Sequence, residues 1–257
     1  MLETATVHTP KTPAGERASG KHSFTNFRQL MEERRAIRIF DGSPVPEEVV
    51  RECLSLTLLT PSSSNLQPYE FYWVRSPELK PDLVRAFIGQ SAARTASEII
   101  VCVARTATWD TNRKKVIELL KSYGSQVTPA NLRYYEVTCK IVYNQGVLGL
   151  YGLYKRIANV FLGMSRAIVR SPSSRTEMKI WAVKSAAMAC QSLVLAFQAA
   201  GYDTCPMEGL DWKRIKKILK LESDAVVVMG IAVGKRSYNG VVSPRVRLGG
   251  PRFIKEV

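Results

Sequence analysis

The chain has 257 residues, 46% of them hydrophobic and 23% charged, enough to bury one sizeable core without dividing into two domains. Lys and Arg exceed Asp and Glu by 37 to 22, a net charge of +15 that favours anionic partners such as phosphorylated cofactors, nucleic acid or an acidic membrane surface. Both histidines, His8 and His22, precede the expected fold, which excludes histidine-based nucleophilic triads, His-ligated zinc and HExxH metalloproteases, and no metal site is expected.

Residues 1–23 lack hydrophobic periodicity and carry Pro10, Pro13, Gly15 and Gly20 among small polar side chains, so a mobile arm is expected there. The fold is expected to begin at Phe24 and to run as one domain over 24–257. Phe24, Phe27, Leu30 and Met31 recur at helical spacing behind a Ser23 cap, and this helix runs into Glu33-Arg34-Arg35-Ala36-Ile37-Arg38. Pro46, suited to a first helical turn, opens a second helix that lasts to about Leu59, before Pro61. Residues 70–74 read as a strand, 79–87 as a short helix behind Ser76, and 99–103 as a buried strand.

A long, mostly helical stretch follows over about 105–178. Counted from Arg105 to Lys179, it holds thirteen Lys or Arg against four Asp or Glu. Placing residues 144–170 on a helix, at about 100° per residue, gathers Asn144, Gln145, Lys155, Arg156, Asn159, Arg166 and Arg170 on one side. Leu150, Tyr154, Ile157, Phe161, Met164 and Ile168 take the other. The apolar face is expected on the core with the basic face in water; a lid over a pocket and a basic helix resting on a membrane are the alternatives. Residues 178–200 form an Ala-rich helix, apolar on most faces and stopped by Gly201, expected in the core or a subunit interface. Asp211 caps a short basic helix to about Lys220, and 225–233 read as a central strand. Short strands mixed with long helices predict an α+β fold.

The five cysteines are far apart, form no CxxC pair and read as buried free thiols of a reducing compartment. No apolar run follows Met1 and no uncharged apolar stretch of about 18 residues occurs, so the expected location is cytoplasmic. Gly230-Ile-Ala-Val-Gly234-Lys235 falls one residue short of a phosphate-binding loop and has Arg236 where a Ser or Thr would hold magnesium; it reads as a strand and its exit turn. Gly146, Gly149 and Gly152 do not make a dinucleotide fingerprint.

Two segments carry more chemistry. Arg34, Arg35 and Arg38 could converge on a phosphate through forked, charge-assisted hydrogen bonds, or could be a solvated basic face. Pro61-Ser62-Ser63-Ser64-Asn65-Leu66-Gln67-Pro68 offers hydroxyls and amides that could read the edge of a flat heterocycle, or could be a polar turn. In this order the two resemble the FMN-dependent nitroreductase family, with its Arg-Arg/His-Ser-x-Arg/Lys-x-Phe and Pro-Ser-x-x-Asn-x-Gln-Pro signatures. The C-terminal half is similar as well, in Ala199-Ala200-Gly201-Tyr202, the loop Cys205-Pro206-Met207-Glu208-Gly209, and the strand from Val227 to Gly234. The resemblance covers about 24–104 and 178–250.

The resemblance implies a central, mostly antiparallel sheet flanked by helices, with the helical insertion at about 105–178. It implies a homodimer with one FMN at each end of the interface, each flavin touched by both chains. Arg34, Arg35 and Arg38, joined by Arg245 and Arg247, would hold the phosphate and ribityl chain. Pro61, Ser62, Ser63 and Asn65 would come from the partner chain to meet the ring system. Gln90 would lie against the pyrimidine edge, and Glu208 and Gly209 on the opposite side with a backbone N–H aimed at flavin N5. Ala36 stands where the family usually has Ser, and no lysine stands near Gln90 in the sequence.

Flavin chemistry accounts for a fold without histidine, because the cofactor carries the reaction. The activity implied is ping-pong transfer of hydride from NADH or NADPH through flavin N5 to an electron-poor small molecule such as a nitroaromatic or quinone. No catalytic side chain is assigned. Alternatives are other chemistry on the same fold, such as dehalogenation, azole oxidation or flavin breakdown, and a basic surface-binding protein without catalysis. No nucleic-acid motif is present, and none is expected as a partner; peripheral membrane contact through 144–170 stays open.

Overall fold

The computed structural model describes residues 20–257, without the side chains of 20–22 and 251. The arm expected over 1–23 lies outside the described residues up to position 19. The chain divides into two compact units, Met1–Arg34 and Arg35–Val257. The first contains helix α1 (Gly20–Glu33). It starts before Ser23, which is therefore an interior residue and not a cap; serine is a modest cost inside a helix and no proline interrupts this one.

The second unit is built on a four-stranded antiparallel sheet in the order β1-β2-β4-β3. Its strands are β1 (Tyr69–Trp73), β2 (Glu98–Arg105), β3 (Asp203–Met207) and β4 (Ala225–Gly234). Side chains alternate across a pleated strand, and β2 shows this directly: Ile100, Cys102 and Ala104 enter one core while Ile99, Val101 and Val103 enter the other. Helices α2 (Glu47–Thr57) and α9 (Arg175–Ala199) cover the first face. On the second face pack α3 (Lys80–Ala86), α4 (Ser91–Thr95) and α10 (Trp212–Ile218).

The segment expected as a loop over 205–209 is strand up to Met207, with Cys205, Pro206 and Met207 paired to Ala232, Ile231 and Gly230 of β4. Pro206 is tolerated because β3 lies at the sheet edge, where a missing N–H is harmless. Gly230 has a packing role: a Cβ there would stand 2.5 Å from Phe87 Cε1, and Phe87 is wholly buried. That supports the reading of this glycine run as strand. Helix α9 is capped by Ser174, whose hydroxyl accepts from the Glu177 amide at 3.2 Å, and past its end Gly201 has a φ of +77°. All five cysteines are free and buried.

The insertion is helical as expected: α5 (Trp109–Ser122), α6 (Pro129–Arg133), a π-helical turn (Tyr134–Thr138), α7 (Cys139–Tyr143) and α8 (Leu150–Ser165). The helix predicted over 144–170 is shorter at both ends. Gly146, Leu148 and Gly149 adopt positive φ ahead of α8, and Arg166 is extended behind it. Its orientation is also the reverse of the expected one. Leu150, Leu153, Tyr154, Ile157, Val160, Phe161 and Met164 are exposed, whereas Gly152 is buried and Lys155 and Asn159 are half-buried. The Lys155 ammonium donates to the carbonyls of Val142, at 2.7 Å, and Pro172, at 3.1 Å.

Candidate active site

Helix α1 stops at Glu33, so Arg34 and Arg35 stand at a helix end as expected, and Arg38 lies in a bend beyond it. Arg34 belongs to the N-terminal unit, its amide donating to the Leu30 carbonyl at 3.0 Å. From Ala36 to Phe40 the chain runs beside the sheet. Ala36 bridges Thr204 of β3, Phe40 bridges Arg236, and the Arg38 amide donates to the Gly240 carbonyl at 2.9 Å. This clip aims two guanidinium groups at one edge. Arg38 Nη1 donates to Cys205 Sγ at 3.4 Å, and Arg35 Nη2 donates to the Ser243 carbonyl at 2.6 Å. Burial pushes the Cys205 thiol up, against the opposing pull of Arg38, so it stays a neutral acceptor. The Arg35 contact fixes the start of the exposed C-terminal stretch that carries Arg245 and Arg247.

Gln90 and Gly209 lie along the same β3 edge, past Met207. Gln90 Nε2 donates to the carbonyls of Gly209, at 2.7 Å, and Phe87, at 3.1 Å. The two residues touch, and do not face each other across a gap as the resemblance implied. A Cβ at position 209 would come within 3.3 Å of that amide nitrogen. Glu208 is exposed between them and the strand end.

The loop 61–67 is built by its own hydroxyls and by the insertion. Ser62 Oγ accepts from the Gln67 amide at 2.9 Å, and Gln67 Nε2 donates to Asn65 Oδ1 at 3.2 Å. Ser64, Asn65 and Gln67 all have positive φ, a cost tolerated only where surroundings hold it. Those surroundings are hydroxyl bonds from Tyr143 to Ser63 Oγ (3.1 Å) and Ser64 Oγ (2.7 Å), and from Tyr134 to Ser64 Oγ (2.7 Å). The Ser63 amide donates to Ser185 Oγ of α9 at 3.5 Å, and Asn112 Nδ2 donates to the Leu66 carbonyl at 2.8 Å. Pro61, Ser63 and Asn65 remain exposed.

Sequence reasoning missed Ser64, Tyr134, Tyr143 and Asn112, because roughly 45 to 80 residues separate each insertion side chain from the loop it supports and no local pattern joins them. It also missed Ser243, which uses only its backbone.

The loop and the arginines lie at different places on the sheet. The loop feeds β1, at one edge, where Tyr69 is level with Ala104 of β2 and through it with Val226 of β4. The Arg38 partner Cys205 sits on β3, at the other edge, level with Ala232. Three strand spacings, about 14 Å, and six residues along the strand, about 20 Å, separate these points.

A profile of the nitroreductase family matches residues 31–235. The chain belongs to the nitroreductase family. Membership makes it an oxidoreductase, and the match covers every assigned position except Arg245 and Arg247. Among relatives of this family member, MhqN of Bacillus subtilis, named an NAD(P)H nitroreductase by inference, is 26% identical over 210 residues, 81% of this chain and 88% of MhqN. The crystal structure of YdfN from Bacillus subtilis superposes with a TM-score of 0.72 at 23% identity, over 91% of this chain and 100% of YdfN. A nitroreductase structure from Exiguobacterium sibiricum, solved in complex with FMN, gives 0.66 at 24% identity over 90% and 97%. These structural likenesses establish the fold.

Proposed function

We propose that the chain is an FMN-dependent oxidoreductase that works as a homodimer and passes electrons from NADH or NADPH to an electron-poor small molecule, a nitroaromatic or a quinone. FMN, when bound, supplies the two-electron chemistry between donor and acceptor. The observation that carries the reading is the split site. Arg35, Arg38, Gln90 and Gly209 share the β3 edge, while the strained hydroxyl loop stands at the β1 edge diagonally across the sheet. Residues so far apart can serve one planar cofactor only if a second copy brings its own loop to the first copy's β3 edge.

The donor set fits FMN. Arg35 and Arg38, with Arg245 and Arg247 from the stretch that Arg35 holds, offer forked donors for a phosphomonoester. Gln90, whose Nε2 already donates to two carbonyls, leaves Oε1 as the acceptor for an N–H of a pyrimidine edge, and a Cβ at position 209 would crowd that amide. Arg34 is assigned to the same phosphate on the family motif alone. Exposed apolar side chains on α2, on α9 and on the C-terminal stretch, among them Leu56, Met188 and Phe253, are what a subunit interface would cover.

The test is the visible spectrum of the purified protein, chromatography of what heat releases, and anaerobic titration with each nucleotide. A yellow protein that releases FMN and is bleached by NADH or NADPH is expected, at a dimer mass in sedimentation. A yellow protein that resists both nucleotides would replace the reductase reading with another flavin chemistry. A colourless protein that takes up no added FMN would overturn the proposal.

A further inference from the structure

The outward face of α8 has no use in the site described above. At about 100° per residue, Leu150, Leu153, Ile157, Val160, Phe161 and Met164 fall within an arc of about 120°. All are exposed, Phe161 at 68% and Met164 at 81%, and Val147, Leu148 and Val169 extend the patch at either end. A soluble surface rarely leaves so much contiguous apolar area uncovered. The chain segment that carries it has one sign of charge, with Glu177 just beyond it acting on Lys155 and Arg156. From Val137 to Thr176 there is no Asp or Glu, while Lys140, Lys155, Arg156, Arg166, Arg170 and Arg175 lie in that stretch. Of these Lys155 is turned inward and Arg170 reaches back to the Asn159 and Gly163 carbonyls of α8, while Lys140, Arg156, Arg166 and Arg175 are exposed.

We propose that α8 docks on the surface of a bilayer containing anionic lipid, with its apolar stripe at the acyl boundary and the exposed arginines among the headgroups. Charge decides the occupant. A second copy of this chain would bring the same cations against them with no carboxylate in the segment to pair, whereas an anionic bilayer complements both the apolar stripe and its rim. Length decides the mode. Sixteen residues make a helix of about 24 Å, short of the hydrocarbon thickness, so α8 lies on the membrane and does not cross it. Tyr154, at the edge of the stripe, is the residue type that sits at headgroup level.

The test is co-sedimentation of the full chain with vesicles of phosphatidylcholine and phosphatidylglycerol, against phosphatidylcholine alone, and it needs neither flavin nor turnover. Binding to the anionic vesicles, weakened by salt and weak on the neutral ones, is expected. Ile157→Asp with Phe161→Asp should lower the partition coefficient by more than about tenfold, and Arg156→Ser and Arg166→Ser by about fivefold each. In Ile157→Trp the emission should shift to the blue on anionic vesicles. Circular dichroism checks that each variant keeps its helices. No binding at low salt, or binding unchanged in the double Asp variant, overturns the proposal. So does a parent that ignores vesicles but whose oligomer shrinks in the double Asp variant, which would make α8 a contact between copies.

Discussion

Tyr143→Phe tests whether the insertion holds the signature loop in shape. Tyr143 is 3% exposed and its ring packs on Trp181 with centroids 4.7 Å apart, so phenylalanine keeps the packing and removes only the hydroxyl. Two hydrogen bonds go with it, at 3.1 Å to Ser63 and 2.7 Å to Ser64. At a net contribution of about 1 kcal/mol each, the loss is about 2 kcal/mol, or about 4–8 °C in Tm for a chain of this size. The loss falls on a loop that already holds Ser64, Asn65 and Gln67 at positive φ, each costing about 1–3 kcal/mol. Relaxation of that loop should therefore precede global unfolding, and flavin should be released about tenfold to thirtyfold faster. The assay pairs a thermal melt with the fluorescence of released flavin. Tyr134→Phe, which removes a single bond to Ser64, should have about half the effect. A Tyr143→Phe protein with the parent's Tm and release rate would refute the reasoning, as would a larger effect from Tyr134→Phe.

Gly230→Ala places a Cβ 2.5 Å from Phe87 Cε1 and should destabilise the fold by about 2 kcal/mol. A lower urea midpoint at constant slope reads this, and adding Phe87→Leu should recover part of it. Burial alone would raise the Asp224 carboxyl, but the Arg105 guanidinium and the Ala107 amide hold it below the usual range. A depressed folded-state pKa means that the unfolded chain binds more protons. Its stabilisation is thus present above pH about 4 and lost as pH falls through the lowered value. Asp224→Asn should flatten this acid limb of the urea midpoint; a limb as steep as the parent's would exclude Asp224 as its source. Arg38→Ala with Arg247→Ala should lower FMN affinity by about two orders of magnitude or more, from two charge-assisted contacts. Unchanged occupancy by equilibrium dialysis would remove both from the phosphate site.

Three of the four strands and the long buried helix were legible because their patterns are local. An unbroken apolar run over 225–233 and an Ala-rich helix closed by Gly201 each specify an element regardless of neighbours. β3 was not legible: five residues containing Pro206 and the polar Asp203 and Thr204 have no strand pattern of their own, and they pair because β4 is already in place. The site divides the same way. Arg35, Arg38, Gln90 and Gly209 were readable as family motif positions, and the structure lines them along one edge. Tyr134 and Tyr143 were unreadable, since their role exists only when the π-helical turn and α7 fold back onto residues 63 and 64.

Helix α8 shows why a periodic pattern identifies a face but not its neighbour. The apolar stripe read from the sequence is real, yet the face opposite it carries what the protein packs against. Gly152 lets the backbone approach closely, since a Cβ there would stand 2.6 Å from the Ser173 carbonyl oxygen, and a Cβ at Gly163 would stand 2.7 Å from Arg170 Cζ. Lys155 meets the Val142 carbonyl in the last turn of α7, where orphan carbonyls and the helix dipole both favour a cation. Burial lowers its pKa, and the Glu177 charge opposes that shift. Turning α8 about its axis would bury the leucines but would expose Gly152, which meets the Ser173 backbone, and leave the Val142 carbonyl without its Lys155 donor. Close backbone packing and a satisfied helix end therefore outweigh burial of the stripe within one chain, and the apolar face is left for an external surface.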